Sequence, residues 1–79
     1  MKIIEDYKGI RMPIPQTGEV AIMKMNAAKD LYEKYFRNKD MVRLNKIKIF
    51  YEYDRQKAIE LGADVSQFPE QLNYLESKN

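Results

Sequence analysis

The side chains that most often carry chemistry are missing from this chain, which has no histidine and no cysteine among its 79 residues. Without histidine it lacks the commonest general base and metal ligand, and without cysteine it lacks a thiolate nucleophile and a disulfide framework. Thr17, Ser66, Ser77, the lysines and the carboxylates remain as nucleophiles, with no imidazole to activate them. The pairs Glu5 with Asp6, Asp30 with Glu33, and Glu52 with Asp54 are of the right type for Mg²⁺ or acid–base work. Such spacings also recur on solvated helix faces, and they read as surface charge. Gly9, Gly18 and Gly62 are too scattered to cradle a phosphate. The expectation is a protein without catalytic residues, metal or cofactor: not an enzyme.

Binding chemistry is what remains. Lys34, Arg37, Lys39, Arg43, Lys46 and Lys48 lie within residues 33–48 against Glu33 and Asp40, so six cations over two anions leave +4. From Glu52 onward six carboxylates face three cations, leaving −3, although the whole chain carries only +2. Tyr32, Tyr35 and Phe36 lie at the start of the basic run, and Phe50, Tyr51 and Tyr53 follow it.

Cations beside rings suit a protein partner approached through complementary charge, including a second copy of the chain. The expected function is therefore a non-enzymatic protein-binding module, such as an adaptor, inhibitor or assembly component. Lys34, Arg37, Lys39, Arg43, Lys46, Lys48, Tyr32, Tyr35, Tyr51 and Tyr53 are its candidate partner-binding residues. The alternative is an accessory nucleic-acid binder that neutralises phosphates through residues 34–48 and stacks rings on bases. Against that alternative, the sequence pI of 8.8 is modest for a dedicated nucleic-acid domain.

The elements that must position these residues follow from hydrophobic spacing. Pro13 and Pro15 exclude a helix near the N-terminus, so residues 1–18 read as an extended arm or edge strand. Ala21, Met25, Ala28, Tyr32 and Tyr35 recur at intervals of four, three, four and three, which predicts a helix over 20–37. Asp40 is a candidate N-cap and Gly62 a candidate helix terminator, giving a second helix over 40–61. Within it, Ile47, Ile49, Tyr51 and Tyr53 also alternate like a strand, but the length without Gly or Pro favours one helix. Ser66 and Pro69 suit the start of a third helix over 67–77.

The predicted fold is thus mainly α, three helices behind an N-terminal arm. The competing arrangement is α+β, with a β-hairpin of residues 7–14 and 19–25. Seventy-nine residues, 44% of them hydrophobic, suit a single small domain. The longest apolar run, Val20 to Met23, is far below the ~20 residues of a membrane span, and residues 1–6 do not build a signal peptide. A cytoplasmic protein with no membrane contact is expected. Heavy use of Lys, Ile, Asn and Tyr without Trp suits an AT-rich coding sequence, such as low-GC bacteria or their phages carry.

Overall fold

Lys8 and Gly9 both have positive φ, 53° and 80°. Two consecutive left-handed residues make the tight turn whose twist matches paired antiparallel strands. Around it the chain folds back on itself as β1 (Ile4–Tyr7) and β2 (Ile10–Pro13). Glu5 lies opposite Met12 and Tyr7 opposite Ile10, which puts these four side chains on one face. A computed structural model of the chain describes residues 2–76.

Two antiparallel helices follow. In α1 (Gly18–Arg37) the Thr17 hydroxyl accepts the amide of Val20 at 3.1 Å, and Glu19 complements the positive end of the helix. The predicted stripe is its buried face: Ala21, Met25, Ala28 and Tyr32 are in the core and Tyr35 packs against it. In α2 (Met41–Glu60) the Asp40 carboxylate caps the amide of Arg43, and Leu44, Tyr51 and Ala58 face α1. Gly62, at φ 86°, ends α2: its amide and that of Ala63 donate back to Ile59 and Ala58. Gly18 meets this corner so closely that a Cβ placed there would lie 3.0 Å from that of Ala63.

The strand-like alternation in 47–53 has a physical cause: α2 is covered on several sides. α1 takes one face, the hairpin takes another, and residues 65–76 take a third. Tyr53 donates to Glu5 at 2.8 Å and its ring meets that of Tyr7, which fixes the hairpin, with Met12 fully buried beneath it. Tyr51 donates to the carbonyl of Pro69 at 2.6 Å, and Arg55 to that of Phe68 at 3.3 Å.

Those two bonds explain the main departure from expectation. The third helix over 67–77 is absent: residues 65–76 form successive turns, and Ser77 lies outside the described residues. In a helix the carbonyls of Phe68 and Pro69 would accept amides four residues on. Here side chains of α2 occupy them. Val65 and Leu72 are drawn into the core from this segment, and just before it the Asp64 carboxylate accepts the Ser66 amide in a local turn.

The N-terminal segment is likewise not an extended arm but a docked hairpin. The α+β alternative therefore describes the chain better, although the strands pair 4–7 with 10–13 and residues 19–25 are helical. Among the described residues no helix is long and apolar enough to cross a membrane.

Candidate functional site: a basic-rimmed apolar groove

Three of the candidate rings turn inward. Tyr32, Tyr51 and Tyr53 are 0%, 0% and 2% exposed, so their ring faces belong to the core. Each hydroxyl reaches outward to pin a flanking segment: Tyr32 to Glu76, Tyr51 to Pro69 and Tyr53 to Glu5. Burial raises the Tyr53 phenol well above its ordinary pKa, and the Glu5 carboxylate adds to the effect. Lys48 is also engaged within the chain, 2.9 Å from Glu76.

The other candidates gather at the α1–α2 connection. Lys34 and Arg37 occupy the last turn of α1, Lys39 the link, and Arg43 and Lys46 the first turns of α2, all exposed. Arg43 binds Asp40 at 2.8 Å, and its guanidinium and amide hold the Asp40 carboxyl below the usual carboxylate range. Lys34, Arg37, Lys39 and Lys46 have no ion-pair partner among the described residues.

Beside these cations the two helices leave an open groove. One hollow of about 280 Å³ is lined by Tyr35, Ile47 and Phe50, with Arg43 and Lys46 on its rim. A second, of about 180 Å³, shares Ile47 and Phe50 and continues past Ala27 and Leu31 to Pro13 at the end of the hairpin. The groove exists because the hairpin covers α2 only from about residue 52 onward, while residues 65–76 cover the opposite side of the helix pair. Lys24 and Asp54 stand at the far end of the groove.

Asp54 is the one charged residue buried among the described positions, at 5% exposure. Desolvation pushes its carboxyl up to about 6, with Lys24 opposing weakly. Surface charge was the expectation for this residue. The helical period contains the contrary signal, since Asp54 lies seven after Ile47, three after Tyr51 and four before Ala58, all on the inward side. Leu31, Ile47 and Phe50 are also absent from the candidate set, because apolar residues at helical spacing are expected to be core; here they are half-buried.

Chemically the groove offers apolar contact along its walls and cations at its rim. Among the described residues no group of three or more potential ligands could hold a metal ion. The chain matches no protein-family profile, no curated protein sequence and no solved structure.

Proposed function

We propose that the chain is a non-enzymatic, cytoplasmic protein-binding module that receives an acidic segment with apolar anchors in the groove between α1 and α2. The observation that carries this is the juxtaposition of Tyr35, Leu31, Ile47 and Phe50 with Arg43 and Lys46 on the rim. Apolar walls supply contact area, while Lys46 and the neighbouring Lys34, Arg37 and Lys39, which have no ion-pair partner among the described residues, steer an acidic partner and reject a basic one. The hairpin contributes through Pro13, at the end of the groove.

A second reading rests on the same cations. Lys34, Arg37, Lys39, Arg43 and Lys46 surround one end of the molecule and suit phosphates of a nucleic acid. The burial of Tyr32, Tyr51 and Tyr53 takes those three rings out of base stacking and leaves Tyr35 and Phe50 as the rings beside the cations.

One experiment addresses both. Tagged wild-type chain and Lys46→Glu and Phe50→Ala variants are used to capture partners from a lysate, with and without nuclease. A protein retained by wild type and weakened at least about tenfold by each variant supports the groove. Retention unchanged by both variants removes it. Retention that nuclease abolishes, with a steep loss as salt rises, favours the nucleic-acid reading.

A further inference from the structure

The two ends of the helix pair differ in charge and in shape. Each helix has 20 residues, about 30 Å, so the ends are well separated along the molecule's 41 Å axis. At one end Arg37 closes α1 and Lys39 lies in the link, and the first turn of α2 pushes Met41 and Val42 into solvent at 48% and 81% exposure. This is an apolar knob on a cationic ground. At the other end a hollow of about 450 Å³ opens beside the close contact of Gly18 with Ala63, walled by Ile22, Leu61 and Ala63. Leu61 is 43% exposed there and Glu19 is on the rim, while Glu60, 3.4 Å from Lys57, and Asp64 are the next residues in sequence to the wall residues Leu61 and Ala63. This is an apolar socket on an anionic ground.

We propose that copies of this chain associate head to tail, with Met41 and Val42 of one copy seated in the Gly18–Ala63 hollow of the next. The charges agree in sign: Arg37 and Lys39 approach Glu19 and Glu60, while identical ends repel one another. Because the two surfaces differ, the contact is heterologous and each added copy presents a fresh socket and a fresh knob. The contact area is small, so association is weak and depends on concentration and salt. It uses neither wall of the groove, so either proposal can fail without the other.

The test is light scattering or sedimentation of the full chain at low salt, from about 10 μM to about 1 mM. The weight-average mass should climb above the 9.4 kDa of one chain without levelling at two. Val42→Asp spoils the knob and leaves the socket. Leu61→Asp spoils the socket and leaves the knob. Each variant alone should stay at one-chain mass, and an equal mixture should rise to two chains and stop, since it holds one intact contact. Lys39→Glu and Glu60→Lys, both at exposed positions, should each weaken association and restore it when mixed. A wild type that stays at one-chain mass, a single Asp variant that still associates, or mixtures that restore nothing would each overturn the proposal.

Discussion

The phenol of Tyr32 donates a 2.8 Å hydrogen bond to the carboxylate of Glu76, 44 positions along the chain, and accepts the amide of Leu75 at 3.2 Å. Glu76 is held again by Lys48, so one acidic side chain ties the C-terminal turns to both helices. Burial, and then the neighbouring carboxylate, push the Tyr32 phenol up to about 12.

Tyr32→Phe removes both bonds while keeping the ring. The Leu75 amide is then left without its acceptor, and the expected loss is about 1–2 kcal/mol in urea denaturation. Hydrogen exchange at Leu75 should accelerate more than exchange in the middle of α1. Equal acceleration at both positions would mean that the bond serves the whole fold rather than this segment.

Stability should fall from about pH 5 through pH 6 and level off towards pH 7, contrary to the usual behaviour of carboxylates. The Asp54 carboxyl titrates near 6 when folded against 3.8 as its ordinary value, so the unfolded chain loses its proton first as pH rises. Its contribution is intact below about pH 4 and declines through pH 6, by about 2 kcal/mol. Hydrogen bonds hold the Glu5, Asp40 and Asp64 carboxyls below their ordinary values; at Glu76 burial pushes upward, but the bonds from Lys48 and Tyr32 prevail. Those four groups contribute stability above about pH 4.5 and lose it as pH falls through their folded values, so they are silent in the pH 5–7 window. Asp54→Asn should flatten this slope and raise stability at pH 7. Thermal melts at pH 5, 6 and 7 check it.

Lys39 holds a left-handed φ of 57°, a conformation that glycine adopts without the steric cost of a Cβ. Lys39→Gly should therefore stabilise by about 0.5–1 kcal/mol, or several degrees in Tm. Gly62→Ala should do the reverse by about 1 kcal/mol, through backbone alone, because its Cβ would meet nothing within 4 Å. Melting temperatures that move in the same direction for both variants would contradict this account.

Most of what the sequence discloses is local. The interval pattern from Ala21 to Tyr35, the Asp40 cap and the Gly62 stop each act within a turn or two, and each is found in the fold. The hairpin escapes detection because its turn is Lys8-Gly9, where Lys8 lacks the short polar side chain that usually marks a left-handed first position. The C-terminal turns escape for a different reason. Nothing within residues 65–76 reveals that Tyr51 and Arg55 will occupy the carbonyls of Pro69 and Phe68.

The candidate surface divides in the same way. The exposed cations from Lys34 to Lys46 follow from charge density alone, and the structure gathers them at one end. Which rings face solvent depends on what else covers α2. Tyr51 and Tyr53 look equivalent to Phe50 in sequence, yet the flanking segments bury both and leave Phe50 beside the groove.

Asp40 closes one helix and opens the next: its amide donates to Tyr35, its carbonyl accepts Leu44 and its side chain accepts Arg43. The link that carries Lys39 and leads into Met41 and Val42 is thus tied to both helices by backbone bonds at Asn38, Lys39 and Asp40, not a loose loop. Fixing a flexible residue costs about 1–2 kcal/mol in conformational entropy, and folding has already met that cost here. Whatever this corner touches, it meets a surface that is preorganised, so modest contacts there can be expressed as affinity instead of being consumed in ordering the chain.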